Sequence, residues 1–150
     1  MIEIKKILFP VDFTSSSKKV LPYVKYMADK LGARIHLLHV VRGPEEFSGF
    51  EMGAAWFSSF EDELLKGAEK AMTRFVEEDM EGMDVDSSVL IGEPVDTIID
   101  SIDKFGADLI IIGTHGRKGL EKIMFGSVAE GVVKRATVPV LTVNPFKTKA

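Results

Sequence analysis

The stretch over residues 108–143 constrains the chain most. It opens with DLIIIGTHG at residues 108–116, runs on through 117–125, and ends in Gly126, Ser127 and an apolar helical segment. The short apolar run 109–112 breaks abruptly into glycine. A run of that length bounded by turn residues marks a strand buried on both faces. Gly113 and Gly116 let the backbone approach another group closely, or take up positive φ. Gly126 and Ser127 repeat the device just before residues 128–135. Ser127 reads as an N-cap, which leaves backbone N–H groups unpaired at a helix start. Such a start favours an anion, most often phosphate. The spacing is G-x2-G-x9-G-S, two glycine clusters able to close on one ligand. The plainer reading is that these glycines only make turns. Neither a G-x4-G-K-[ST] loop nor a G-x-G-x-x-G fingerprint is present.

The rest of the chain alternates in a regular way. Residues 4–11 form the first strand, ending in Pro10, Val11 and Asp12, and Pro10 cannot donate to a ladder. Residues 14–17 offer N-caps for a helix carrying Val20, Leu21, Val24, Met27, Ala28 and Leu31 on one face. Pro22 requires that helix to begin near Ser17 or Lys18, or to kink. Gly32 is a natural helix stop, and residues 34–41 are the second strand. Residues 42–57 are irregular, with three glycines, a proline and Phe47, Phe50, Met52, Trp56 and Phe57. Residues 58–61, SSFE, make a capping box that opens a long helix to about Glu81, which Gly82 ends. Residues 85–91 alternate weakly as a third strand. Pro94 stands near the start of a helix with Ile98, Ile99 and Ile102 inward, and Gly106 stops it. The fourth strand, the glycine region, a last helix and the strand 139–143 complete the chain.

This βαβαβαβαβ order predicts one open, twisted, five-stranded parallel sheet with helices on both faces, an α/β fold of Rossmann-like character. One domain over residues 1–150 is expected from the length. Ligands in such sheets bind at the carboxyl ends of the strands, where strand order reverses. The candidates are therefore Asp12, Val40 with Val41, Gly92, and the turn 113–116. Gly131, inside the last helix, costs about 1 kcal/mol relative to alanine unless it allows close helix–sheet packing.

Composition closes other routes. Cysteine is absent, so disulfides and thiolate metal sites are impossible. The net charge of −4 and the lack of a basic stripe argue against a nucleic-acid binder. No apolar run approaches membrane-spanning length, and the first residues lack a signal-peptide core. The expectation is a cytoplasmic protein without a membrane role.

Gly113, Gly116, Gly126 and Ser127 in this spacing resemble the ATP-binding branch of the universal stress protein family. ILFPVD at residues 7–12 and VPVL at 138–141 fit it as well. The resemblance covers essentially the whole chain. It implies strand order 3-2-1-4-5, with Asp12 and Gly113 as neighbours across one crevice. It implies a stress-response regulatory protein that binds ATP, with or without Mg2+. Little or no hydrolysis is expected from the residues themselves: no Walker lysine is present, and the glycine motif holds no His, Glu or Asp except His115 and Glu121. ADP and AMP stay open as ligands. The resemblance also implies a homodimer joined through strand 139–143. That strand is apolar, lies at a sheet edge, and has only a short tail after it to cover its unpaired groups. The plainer alternative is a monomer whose edge is protected by Pro139, Pro145 and the lysines of the tail.

The nucleotide contacts expected on these grounds are Pro10, Val11, Asp12, Val40, Gly92, Ile112, Gly113, His115, Gly116, Arg117, Gly126, Ser127 and Val128. Position alone leaves Asp12 evenly split between a ligand contact and a helix cap, and the resemblance favours the ligand. Val11 and Val40 supply backbone or apolar contacts near the base. His115 offers its backbone more than its ring, which stands exposed on the loop unless it touches phosphate or ribose. Arg117 and Lys118 add charge at the mouth, or are simply solvated. Trp56 and Phe57 are expected to pack under the long helix. His36 and His39 fall on opposite faces of the second strand, which suits core or edge histidines better than a shared metal. The alternative function is an ATP-using enzyme of the ATP pyrophosphatase type. Its S-G-G-x-D-S loop is missing here, where DFTSSS follows the first strand. A phospho-receiver built on Asp12 lacks the adjacent acidic pair and leaves the glycine pattern unexplained.

Overall fold

The computed structural model describes residues 1–43, 54–115 and 125–149. Five strands and four helices alternate: β1 (Lys6–Pro10), α1 (Ser15–Leu31), β2 (Arg34–Val41), α2 (Ala54–Asp79), β3 (Val85–Ile91), α3 (Pro94–Phe105), β4 (Leu109–Gly113), α4 (Ser127–Arg135) and β5 (Val140–Val143). The strands form one sheet in the order β3-β2-β1-β4-β5, and every pairing is parallel. Sequence order therefore reverses at β1, which holds β2 on one edge and β4 on the other.

The side-chain alternation of the strands sorts the core into two layers. Ile7, Phe9, Ile35, Leu37, Leu109 and Ile111 face α1 and α2, joined by Val20, Val24, Met72 and Phe75. Leu8, Leu38, Ile110 and Ile112 face α3 and α4, joined by Ile98, Ile102, Ala129 and Val132. The central strands are apolar on both faces because helices cover both. Lys5 and Lys6 donate backbone N–H groups to Asp108 Oδ2, at 2.9 and 3.0 Å, and this ties the starts of β1 and β4 in register.

Several local expectations need correction. α1 starts at Ser15, so Pro22 lies well inside the helix and removes the donor that Lys18 C=O would otherwise meet. α2 starts at Ala54, and the SSFE sequence lies within it. The helix extends one turn further because Trp56 stacks on Phe60, with ring centroids 5.1 Å apart, and meets Phe57 edge-on at 5.2 Å. These aromatics pack on one another along the helix; Phe47 and Phe50 lie outside the described residues. β1 and β5 are shorter than their apolar runs. Gly131 serves a helix–helix contact: a Cβ there would stand 2.8 Å from Val95 Cγ2 of α3.

After β5 the chain turns back over α1. Asn144 Oδ1 accepts from Phe146 N–H at 2.9 Å. Thr148 Oγ1 donates to Tyr23 Oη at 2.6 Å. The Phe146 ring meets the His115 ring edge-on at 4.9 Å.

Candidate nucleotide site

The carboxyl ends of β1 and β4 lie side by side, and α1 and α4 start there. Thr114 N–H donates to Val143 O at 2.9 Å, so the chain leaving β4 stays anchored to β5 for one residue more. Gly126 N–H then donates to Thr114 O. This bond joins the end of β4 to the start of α4 and brings Gly126 against the residue that follows Gly113. A Cβ on Gly126 would stand 2.9 Å from Thr114 O and 3.8 Å from His115 Cα, so only glycine fits. The reason is close approach and not positive φ, since Gly126 has φ −69° and ψ 154°. Gly113 likewise has no positive φ, and a Cβ there would meet Val20 Cγ2 at 3.1 Å.

Ser127 does not cap α4. Gly126 is the N-cap, with no side chain to offer, and Ser127 is the first helical residue, exposed. Among the described residues the amides of Ser127, Val128 and Ala129 find no acceptor, and the first helical bond runs from Glu130 N–H to Gly126 O at 3.0 Å. An uncapped helix start of this kind favours an anion.

His115 is buried, 5% exposed, with Nδ1 2.8 Å from Thr114 Oγ1 and the ring against Phe146. The expected exposed ring is therefore corrected: the returning tail covers it. Gly116, Arg117 and Lys118 lie outside the described residues.

On the β1 side, Asp12 caps the turn into α1. Its Oδ1 accepts from Thr14 N–H at 3.0 Å, Thr14 Oγ1 at 2.6 Å and Ser17 Oγ at 2.7 Å. Oδ2 has no partner among the described residues. Val11 is buried among α1 and α2 residues; its N–H donates to Leu38 O at 2.9 Å, and its carbonyl accepts from His39 Nδ1 at 2.7 Å. That contact assigns the Nδ1–H tautomer to His39. Val11 is thus occupied by the fold, whereas Pro10 and Val40 are half-exposed at the strand ends. Ile112 is buried toward α3 and α4, and Val128 is half-buried beside it. Gly92 N–H donates to Val41 O at 2.9 Å, and a Cβ there would collide with Thr97 Oγ1. Gly92 thus closes β3 onto α3, two strands away from the β1–β4 crevice.

Sequence reasoning noticed Thr14 and Ser17 only as N-caps and did not single out His39 for this site. The signal for the first two was the Asp12, Thr14, Ser17 spacing. The signal for His39 was its strand parity, which puts it on the face of Ile35 and Leu37.

The profile of the universal stress protein family matches residues 3–144. Universal stress protein MJ0577 of Methanocaldococcus jannaschii is 32% identical, over 93% of this chain and 94% of that one. Its solved structure superposes with a TM-score of 0.83, covering 99% of this chain and all of the other. Universal stress protein MJ0531 of the same organism is 34% identical over 95% of this chain and 84% of its own length. The universal stress protein from Archaeoglobus fulgidus, solved in complex with dAMP, is 26% identical with a TM-score of 0.57, covering 96% of this chain and all of that one. The five-stranded order, the two covered faces and the matched span all agree: the chain belongs to the universal stress protein family.

Proposed function

We propose that the chain binds an adenine nucleotide, ATP before ADP or AMP, in the crevice between the ends of β1 and β4. It would act as a stress-response regulatory protein rather than as an enzyme. The observation that carries this reading is the seat of Gly126 on Thr114, beside the uncapped start of α4. It brings Gly126 close to the end of β4, where free amides can meet phosphate. The dAMP held by the Archaeoglobus fulgidus relative supports adenine as the base. In this reading phosphates lie against the Ser127 and Val128 amides, and Gly126, with no side chain and its own N–H held by Thr114 O, lets them approach. Asp12 Oδ2, an acceptor, meets hydroxyl groups on the β1 side. Mg2+, when present, enters on the phosphates. The cytoplasm suits such a ligand, and a homodimer through β5 completes the proposal.

Ser127→Pro tests the phosphate contact cleanly. Proline suits the first helical position, and Gly126 already has the extended backbone that must precede it. The substitution deletes one amide donor and leaves α4 in place. Calorimetry should show ATP affinity falling about tenfold, the scale of one hydrogen bond to a charged group. Undetectable binding by the unmodified protein defeats the nucleotide reading. Equal affinity in both proteins moves the phosphates elsewhere.

Turnover should stay below ~1 s⁻¹, an ordinary enzyme rate: His115, the histidine of the glycine region, is buried against Phe146 with Nδ1 on Thr114 Oγ1, a poor arrangement for a general base. Faster phosphate release, lost in Ser127→Pro, points instead to the pyrophosphatase-like enzyme.

A further inference from the structure

The turn from β1 into α1 spends its capping residues in an unusual way. Thr14 is the N-cap of α1, and an N-cap threonine ordinarily accepts a hydrogen bond from an early helical amide. Here its side chain caps no amide; its hydroxyl donates to Asp12 Oδ1 at 2.6 Å. Ser17, the third helical residue, reaches back in the same direction. Its Oγ donates to Asp12 Oδ1 at 2.7 Å and accepts from Asp12 N–H at 3.1 Å. This two-way link fixes both the backbone and the carboxylate of Asp12 at once. Ser17 is itself buried, 7% exposed.

Phe13, between these groups, has φ +62° and is the one non-glycine residue with positive φ among those described. Bulky side chains rarely adopt that conformation. Contacts hold it there: its ring lies 4.5 Å from the His39 ring and 6.1 Å from that of Phe75, and His39 also grips the Val11 carbonyl. A turn that served only to start a helix would place glycine at position 13 and let Thr14 cap. This one accepts a strained residue and an uncapped helix, and it gains a carboxylate with one oxygen saturated and the other without a partner among the described residues.

We propose that Ser17 is the positioning residue for Asp12. By holding Oδ1 it presents Oδ2 as a fixed acceptor for the sugar hydroxyls of the nucleotide. An ionised carboxylate only accepts, so it takes hydroxyls and repels phosphates. The pair thereby sets which end of the ligand lies on the β1 side. The proposal rests on the nucleotide reading above, and the experiment separates the two.

ATP and 2′,3′-dideoxy-ATP are titrated by calorimetry into the unmodified protein, Ser17→Ala, Asp12→Ala and the double variant. Thermal unfolding of each ligand-free protein is recorded alongside. Ser17→Ala should weaken ATP about tenfold and leave dideoxy-ATP within about twofold. In the Asp12→Ala background, adding Ser17→Ala should change ATP affinity no further, the non-additivity expected of groups acting as a unit. Ser17→Cys, nearly isosteric with a weaker donor, should fall between serine and alanine, and it replaces Ser17→Ala if that variant does not fold. Equal losses for both ligands, or a lowered unfolding temperature with ATP affinity unchanged, would show a merely structural serine and overturn the proposal. An unmodified protein that binds no ATP removes the site reading and this one together. One that binds ATP, with Ser17→Ala indistinguishable from it, removes this one alone.

Discussion

His36 lies buried between β2 and α3, stacked on Phe105 with ring centroids 3.9 Å apart, its Nε2 3.0 Å from Ser88 Oγ. Burial holds its pKa below the usual histidine value; Asp86 opposes the shift and Lys6 adds to it. A depressed histidine binds fewer protons folded than unfolded, so stability rises with pH across that window. The contribution of His36 is complete above its unfolded value of ~6.5 and is lost as pH falls through and below it. Urea unfolding at pH 7.5 and pH 5.5 should therefore show the unmodified protein losing stability on acidification. His36→Gln should show a shallower loss. Parallel slopes in the two proteins would remove His36 as the cause. The same scale shows what sequence could not reveal about the site. Asp12 was evenly balanced between cap and ligand contact because the decision depends on where Ser17 and Thr14 hydroxyls reach. Residue spacing offers the geometry without choosing it. His115 was legible as part of a glycine turn, but its burial comes from Phe146, distant in sequence and brought close only by β5.

Helix α4 is positioned by α3 as much as by the sheet. Val95 packs into the space left by Gly131, and Arg135 pairs with Asp96 at 2.6 Å. Gly131→Ala should gain about 1 kcal/mol of helix propensity. It would also put a methyl 2.8 and 3.0 Å from the two Val95 methyls, and valine in a helix has one strongly preferred rotamer with which to respond. Overpacking of that kind costs about 1–3 kcal/mol; a middle value exceeds the propensity gain by about 1 kcal/mol, which should lower the unfolding temperature by about 2–4 °C. Adding Val95→Ala should recover most of the loss. A Gly131→Ala protein that is more stable would show that the helices separate freely. Element boundaries were legible to very different degrees. β2, β3 and α3 stand where periodicity and turn residues placed them, since their signals are local. The starts of α2 and α4 did not. The SSFE capping box lost to a preceding apolar turn that continues the helix, and Ser127 moved one place inward because Gly126 is pinned to Thr114.

At the scale of the whole molecule, β5 is an edge strand whose tail departs over α1 toward Tyr23. Pro139 O and Val143 O accept from Ile110 of β4 and from Thr114 just after it. Backbone groups alternate sides along a strand, so Leu141 and Val143 direct their amides toward β4, while Val140 and Thr142 direct theirs outward. A two-fold pairing through this edge would use the outward pair. Light scattering should give about twice the 16.6 kDa chain mass. Thr142→Pro deletes an outward donor and should shift the mass toward one chain while the fold survives, since an edge tolerates proline. Leu141→Pro instead breaks the ladder to β4 and should unfold the strand. A monomeric unmodified protein, or a dimeric Thr142→Pro, would place the contact elsewhere or abolish it.

The position of β1 has a kinetic consequence. It comes first in the chain yet sits in the middle of the sheet, and its β4 side is filled only when Leu109 meets Ile7. Until then, β1, β2 and β3 make a half-sheet with an apolar strand open along one edge. Closing it demands a long loop, and folds dominated by such distant pairings reach the native state slowly. The interval before β4 arrives is when a growing or refolding chain is most exposed to sticking to its neighbours. Substitutions that delay the docking of β4, such as a side chain at Gly113 pressing on Val20, should therefore lower the yield of folded protein more than they lower its final stability.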